Sequence, residues 1–307
     1  MASTMRGPTR AAGLALAAAV LLALPVAAVA QIPRVDVRWE PDIPVQGRLF
    51  RVIVNADRPE SLERLGAELA GEPLHFHERS PGEYEALAAA PIDESGELRM
   101  PVFASWNDGA TDALTMAVPI ATGEYRLERL TVGPRYGSPP DSALQERMRR
   151  EAARARRVSE ASHETPRLWG RIVHPRPTRV TSGFGHGREF NGQVTSRHMG
   201  TDFAGGVGEP VRAAARGVVA LVDEFHLGGN VVYIDHGAGL VTAYLHLSEQ
   251  LVAEGDTVQA GDLIGRVGAT GRVTGPHLHW IVRYGNVTVD PLSLLDVATP
   301  AERTEQE

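Results

Sequence analysis

The sequence predicts an all-β protein made of two β-domains joined by a short helix. Residues 34–132 contain short runs of β-branched and aromatic residues separated by turn signals, a spacing typical of a β-sandwich. From residue 172 to about 295 glycine is dense, and strand candidates recur with almost no helical periodicity. Between these regions, residues 141–162 favour helix. The length of 307 residues is sufficient for two domains.

The first thirty residues predict a cleavable secretory signal peptide. Arg6 and Arg10 supply positive charge, residues 11–27 form an apolar run, and small residues at 28–30 precede Gln31. An uncleaved membrane anchor is the alternative, because the apolar run is almost long enough to span a bilayer. No other segment is apolar enough to cross a membrane, so we expect an exported protein without a membrane span once the signal is cleaved.

Residues 31–133 predict an immunoglobulin-like β-sandwich. Its strand candidates are short apolar or alternating runs, found at residues 35–39, 49–56, 112–120 and 124–132. The His-Phe-His run at 75–77 predicts a solvated strand face. Because no group of residues in this region is arranged for chemistry, we interpret the front domain as a module for packing, targeting or regulation.

A linker at residues 134–171 follows the sandwich and contains the predicted helix 141–162. Asp141 or Ser142 is the candidate N-cap of this helix. The helix carries a thin apolar stripe that consists of Leu144, Met148 and Ala152. At the other end of the chain, residues 298–307 predict a disordered tail.

Composition excludes several classes of function. The chain has no cysteine, so an exported form must be stabilised by its core or by a metal rather than by disulfides. It also has no lysine, since all 31 basic residues are arginine. A Walker phosphate loop, a Schiff base and a Ser-Lys dyad are therefore excluded. The formal net charge of -7 argues against nucleic acid as the main partner.

Histidine and aspartate residues of the second domain predict a metal site. His198 and Asp202 are four residues apart in a segment that we expect to be extended, so their side chains lie on one face. His277 and His279 are two residues apart in a predicted strand and also share a face. A catalytic zinc ion takes three protein ligands and keeps one position open. His198, Asp202 and one of His277 or His279 would supply those ligands, which leaves the other histidine and His246 to transfer protons.

The order of these motifs resembles that of the lysostaphin-type zinc endopeptidases, also called LytM-like peptidoglycan hydrolases. An HxxxD motif at 198–202, Tyr-x-His at 244–246 and HxH at 277–279 follow an SGFG stretch at 182–185. The likeness extends over residues 180–295 and is specific in both motif order and separation. The sequence has no HExxH and no GxSxG motif, which excludes a thermolysin-like helix site and a serine nucleophile elbow.

The resemblance implies a C-terminal LytM-like β-hairpin/sandwich domain at 172–297 that binds Zn2+. It implies three metal ligands, which are His198, Asp202 and His279. It also implies two catalytic histidines beside the metal, which are His246 and His277. Members of this family hydrolyse peptide bonds in the cross-links or stem peptides of bacterial peptidoglycan. Peptidoglycan is therefore the implied substrate, and the periplasm or cell envelope of a bacterium is the implied location.

Other functions fit parts of the sequence. A catalytically silent LytM-like module could bind cell wall or activate another hydrolase, although all five site positions are filled here. The stretch at 254–265 resembles a hairpin of biotinyl or lipoyl carrier domains, but the chain lacks the lysine that those domains modify. A structural zinc site is disfavoured because such sites use four ligands. We expect a monomer that could also have a regulatory protein partner.

Overall fold

The structure, a computed structural model, describes residues 34–133, 136, 139–192 and 194–298. The predicted signal peptide, and the predicted tail beyond its first residue, lie outside the described residues. Strands dominate this part of the chain, which confirms the all-β prediction. In the same part of the chain no helix is long and apolar enough to cross a membrane.

The front of the chain forms two four-stranded antiparallel sheets. The first consists, in spatial order, of β1 (Val35–Glu40), β2 (Leu49–Ala56), β6 (Glu83–Ala89) and β5 (His77–Ser80). The second consists of β4 (Glu72–Leu74), β3 (Leu62–Leu69), β7 (Gly96–Trp106) and β8 (Thr111–Ile120), and a 3-10 turn at Pro59–Ser61 precedes β3. Alternate residues of β7 from Leu98 to Trp106 are buried, because one face of each sheet packs on a shared apolar core.

The His-Phe-His run at 75–77 does not form the solvated face that we predicted. His75 lies before β5 and is half-buried, because the connection after β4 meets the linker that follows the helix. The Nε2 atom of His75 lies 2.8 Å from Nδ1 of His163, and Nε2 of His163 lies 2.9 Å from the Glu72 carboxylate. The run therefore joins the front domain to the linker.

The predicted linker helix is present as α1 (Ser142–Ala161). Asp141 is its N-cap, because the Asp141 side chain accepts a hydrogen bond from the Leu144 amide at 2.8 Å. The buried residues of α1 are Ala155 and Ser159, whereas Ala152 of the predicted stripe is exposed. Ala155 packs on a second apolar cluster that belongs to the large sheet of the following domain.

The large sheet is the main element of the second domain. Its central path is β10 (Val180–Ser182), β13 (Thr201–Ala204), β20 (His277–Tyr284), β17 (Leu240–Gln250), β16 (Gly229–Gly237), β15 (Gly217–Phe225) and β18 (Thr257–Val258). Three further strands pair beside this path: β14 (Pro210–Arg212), β19 (Leu263–Val267) and β21 (Val287–Val289). Strands β16 and β17 are almost continuously buried, since apolar clusters cover both of their faces.

A small sheet of three strands lies beside the large one. It consists of β12 (Val194–Arg197), β11 (Gly187–Phe190) and β9 (Leu127–Leu130). Strand β9 belongs to the segment 124–132 that we predicted as part of the sandwich, but it pairs in parallel with β11. The end of the front region therefore reaches the second domain. A short helix that the sequence did not predict, α2 (Pro291–Ala298), ends the described chain.

Candidate metal centre

The centre is built on three neighbouring strands whose register aligns its side chains. Asp202 of β13 lies directly opposite His279 of β20, and His277 lies two residues away on the same strand. Residues that face each other across antiparallel strands share a face, so these three side chains lie together. Leu278 and Trp280 point to the other face, where both are fully buried in the core. Alternation along β20 thus places both imidazoles on the same surface, as the sequence indicated.

Three donor atoms converge at this surface. The Oδ1 atom of Asp202 lies 2.6 Å from Nδ1 of His279 and 3.0 Å from Nε2 of His198. The two nitrogens lie 3.0 Å from each other. All three residues are buried, and they form the group of potential metal ligands found among the described residues.

The chemistry of this donor set fits a zinc ion. Two imidazole nitrogens and one carboxylate oxygen are the ligands of many catalytic zinc sites. The remaining polar atoms of two ligands are already engaged: Nδ1 of His198 donates to the Gly183 carbonyl at 2.7 Å, and Oδ2 of Asp202 accepts from Arg188 at 2.7 Å. Such outer contacts fix the tautomer and orientation of a ligand and leave its other atom for the metal.

The protonation states also suit a metal ion. Burial alone would raise the pKa of Asp202, but the close ring nitrogens of His198 and His279 hold it well below its ordinary value. Burial lowers the pKa of His279 to about 4, although Asp202 opposes this shift. At neutral pH the site therefore offers a carboxylate and a neutral imidazole, which are the forms that bind metals.

Two further histidines lie beside the three donors. The rings of His246 and His277 are 4.9 Å apart between centroids, and Nε2 of His277 lies 3.6 Å from Oδ1 of Asp202. His246 donates from Nδ1 to the Thr270 carbonyl at 2.8 Å, and His277 does the same to the Gly275 carbonyl at 2.8 Å. In the neutral form, each ring therefore keeps its lone pair at Nε2.

His246 reaches the site through an unusual backbone conformation. Its neighbours Tyr244 and Leu245 pair with Trp280 and His279 respectively, so regular alternation would place His246 on the core face with Tyr244. The φ angle of His246 is 62°, in the left-handed region that non-glycine residues rarely adopt. This departure from strand geometry, at the bulge before Leu247, accounts for a ring that faces His277 instead of the core.

An ionic network from outside the motifs supports Asp202. Arg188 of β11 donates to Asp202 Oδ2 and, at 3.1 Å, to the carboxylate of Glu128 on β9. Glu128 also accepts from Ser182 at 2.8 Å and contacts Nδ1 of His186 at 3.0 Å. The sequence did not predict Glu128 or Arg188 as site residues, because no local sequence pattern predicts that β9 pairs with β11.

Other polar residues near the motifs are structural. His236 is fully buried between the Arg216 carbonyl at 2.9 Å and the Thr242 hydroxyl at 2.8 Å, and burial lowers its pKa to about 4. Tyr244 packs beneath the site and accepts a hydrogen bond from the Ala214 amide at 2.7 Å. These two side chains support the sheet and do not line the site.

Comparison with known proteins places the site within a recognised domain. The sequence model described as Peptidase family M23 matches residues 196–291, a segment that includes all five predicted site residues. A crystal structure assigned to peptidase M23 from Pseudomonas aeruginosa is similar to this fold, with a TM-score of 0.62 and 25% sequence identity. The similarity covers 83% of this chain and 96% of that one, so it includes the front sheets.

Two curated relatives are similar in sequence to part of the chain. The peptidoglycan DD-endopeptidase ShyC of Vibrio cholerae is 46% identical over 104 residues, which are 33% of this chain and 24% of that protein. The DD-carboxypeptidase/endopeptidase Mpg of Neisseria meningitidis is 42% identical over 129 residues, which are 42% of this chain and 29% of that protein. The matched segment therefore spans less than a third of either relative.

Proposed function

From the match of residues 196–291 to Peptidase family M23, we propose that the chain is a zinc-dependent endopeptidase that cleaves bacterial peptidoglycan. Its targets would be peptide cross-links or stem peptides of the cell wall. The convergence of three buried donors with two further histidines carries this proposal. The similarity to ShyC, a peptidoglycan DD-endopeptidase, supports the choice of substrate. A substrate outside the cytoplasm agrees with an exported protein of the periplasm or cell envelope.

Three atoms would hold the ion: Nε2 of His198, Oδ1 of Asp202 and Nδ1 of His279. A bound zinc ion supplies a Lewis acid for the scissile carbonyl and lowers the pKa of water to roughly 7. The protein contributes the orientation of the ligands. Arg188 keeps Oδ2 of Asp202 engaged, and the Gly183 carbonyl keeps the ring of His198 in one tautomer.

His246 and His277 would move the protons of the reaction. In its neutral form each ring holds its lone pair at Nε2, because Nδ1 donates to a backbone carbonyl. The Nε2 atom of one ring can accept a proton from the attacking water and later transfer it to the leaving amine. A protonated ring can instead donate a hydrogen bond to the developing oxyanion. Burial lowers the pKa of His246 well below its usual range, so this ring is neutral at neutral pH.

Digestion of purified, cross-linked peptidoglycan tests this function directly. We expect the zinc-loaded protein to convert cross-linked dimers to monomers, and a chelator to stop the conversion; mass spectrometry of the fragments would identify the bond. The matched control is His198→Ala, which removes a ligand. Binding to peptidoglycan without any new fragments from the zinc-loaded protein would instead support a catalytically silent cell-wall module.

A further inference from the structure

The candidate centre opens into two adjoining cavities that share part of their walls. A cavity of about 280 Å³ contacts Asp202 and His277, and another of about 160 Å³ contacts the other three site histidines. Both cavities are lined by Arg188, Phe190 and Arg272. A peptide that reaches the centre through either cavity therefore passes these two arginines.

The guanidinium of Arg272 is held in a fixed place. It stacks on the ring of Phe190, with 4.0 Å between the guanidinium carbon and the ring centroid. The Arg272 amide donates to the Leu227 carbonyl at 2.9 Å, which fixes the backbone of the loop before β20. Stacking immobilises the plane of the guanidinium but uses none of its N–H donors.

Arg272 differs from its arginine neighbours in having no acidic partner within the described part of the chain. Arg188 pairs with both Glu128 and Asp202, and Arg197 pairs with Asp93 at 3.3 Å. Among the described residues, no carboxylate lies within ion-pair distance of Arg272, whose one side-chain hydrogen bond is a long contact of 3.5 Å to the Ser196 hydroxyl. Burial and the nearby charge of Arg188 lower the pKa of Arg272 to about 10, so the group stays charged at neutral pH.

We propose that Arg272 binds a free carboxylate of the substrate peptide and so selects peptides that carry this group close to the bond cleaved. A guanidinium presents two parallel N–H groups that match the two oxygens of a carboxylate, and this geometry gives specificity as well as affinity. Because the Arg272 guanidinium is stacked on an aromatic ring and partly removed from water, an anionic partner would stabilise it, and the described residues do not supply one. The inference rests on the proposed function, because it names the substrate feature that the peptidase site recognises.

The carboxylate could come from two parts of a stem peptide: its C-terminus or the side chain of an acidic or diamino acid. Three synthetic cross-linked peptides distinguish these sources. The first has both carboxylates free, the second has a carboxamide in place of the C-terminal carboxylate, and the third has a carboxamide in place of the side-chain carboxylate. We expect kcat/KM of the zinc-loaded full chain to fall about 10- to 100-fold for one carboxamide substrate, the range for hydrogen bonds to charged groups. The substrate that loses activity identifies the source.

Substitution of Arg272 provides the second arm of the test. Arg272→Gln should lower kcat/KM on the free-carboxylate peptide by the same factor and should no longer distinguish it from the carboxamides. The matched control is Arg266→Gln, since Arg266 lies on β19 and pairs with Glu249 away from both cavities. The proposal is overturned if Arg272→Gln lowers kcat/KM equally on all three peptides. It is also overturned if the wild-type protein cleaves the three peptides with the same kcat/KM.

Binding of the product peptide separates this inference from the proposed function. Calorimetry with the cleaved, unreactive peptide needs no turnover and uses both zinc-loaded and metal-free protein. We expect wild type to bind the carboxylate form about tenfold or more tightly than the carboxamide, and Arg272→Gln to bind both weakly. A protein that cleaves peptidoglycan but shows no such preference would refute only the role of Arg272. A protein that shows the preference but cleaves nothing would refute only the peptidase.

Discussion

The two His-x-His runs of the chain, at 75–77 and 277–279, lie in clusters of different geometry. Each run lies close to a third histidine and a carboxylate: His75 contacts His163, which in turn contacts Glu72. In the second run, His279 contacts both His198 and Asp202. Both groups are partly or fully buried, and both connect distant parts of the sequence. Residue types and spacing alone therefore do not distinguish them.

Geometry distinguishes the two clusters. In the front cluster, each contact uses a different atom, so the hydrogen bonds run in a line from His75 through His163 to Glu72 and on to the Asn286 amide. At the candidate centre, the nitrogens of His198 and His279 contact one oxygen of Asp202 and each other. A line of pairs can cross-link segments, whereas a metal ion needs donors that converge on one point.

Loss of a convergent donor should have the largest effect. We expect His279→Ala to lose bound zinc and to reduce peptidoglycan cleavage to background, because two protein ligands remain. Elemental analysis of the purified variant and the digestion assay check both results. The matched control is His77→Ala in the other run, which should keep zinc and activity. Retention of zinc by His279→Ala would show that the convergent atoms are not the ligands.

His277 should separate catalysis from metal binding. We expect His277→Ala to lower kcat by about 10²- to 10⁴-fold, the usual contribution of a positioned acid or base, and to keep its zinc. Its Nε2 lies 3.6 Å from Asp202 Oδ1, farther than the corresponding atoms of His198 and His279. Zinc content and turnover measured on the same sample decide the outcome. If the variant loses zinc, His277 belongs with the ligands and the proposed roles are wrong.

Several parts of the site followed from local sequence. Period-two alternation predicted that His277 and His279 share a face, and the even spacing of His198 and Asp202 predicted the same for that pair. The 3.0 Å approach of His198 to Asp202 depends instead on the break between β12 and β13 at residues 198–200, which the sequence did not predict. Which histidine of the pair meets Asp202 depends on strand register, and register is set by pairing with β13. The local pattern therefore left two candidates, and the family resemblance favoured His279.

Other parts could not follow from local sequence. Strand spacing places His246 on the face of Tyr244, and only its left-handed backbone turns it towards His277. Glu128 and Arg188 are 60 residues apart and meet through the parallel pairing of β9 with β11. Both features depend on tertiary structure. The left-handed backbone at His246 is a local strain that the surrounding sheet maintains. The contact of Glu128 with Arg188 joins two segments whose own sequences predict only that each is a strand.

Glu128 offers a finer test of how the site differs from the front cluster, because it does not contact Asp202 itself but pairs with Arg188, which does. We expect Glu128→Gln to weaken zinc affinity by about tenfold, at the low end of effects seen when outer partners of metal ligands are removed. Competition with a chelator of known affinity measures this directly. Glu189→Gln is the matched control on β11, since Glu189 pairs with Arg129 instead. Equal affinities for the two variants would show that Arg188 holds Asp202 without help from β9.

Glu72 should show the smallest effect, on stability and not on the metal. Burial alone would raise the pKa of Glu72, but hydrogen bonds from His163 and the Asn286 amide hold it below the ordinary value of 4.5. A carboxyl whose pKa is lower in the folded state than in the unfolded state stabilises the fold at any pH above its unfolded-state pKa. This contribution is lost as the pH falls through the folded-state pKa. Glu72→Gln should therefore reduce the free energy of unfolding by about 1 kcal/mol at pH 7.

The pH dependence of the stability difference between Glu72→Gln and wild type tests the line of hydrogen bonds from His75 through His163 to Glu72. Denaturant unfolding of Glu72→Gln and wild type should differ at pH 7 and converge as the pH falls below about 4.5, because the wild-type carboxyl is then progressively protonated. Zinc content should be unchanged, since Glu72 shares no atom with the convergent donors. A variant that keeps its stability deficit at low pH would assign the effect to packing around Gly285, whose close approach to Glu72 and His163 leaves no room for a side chain. A variant that loses zinc would show that the two histidine clusters are coupled across the second domain.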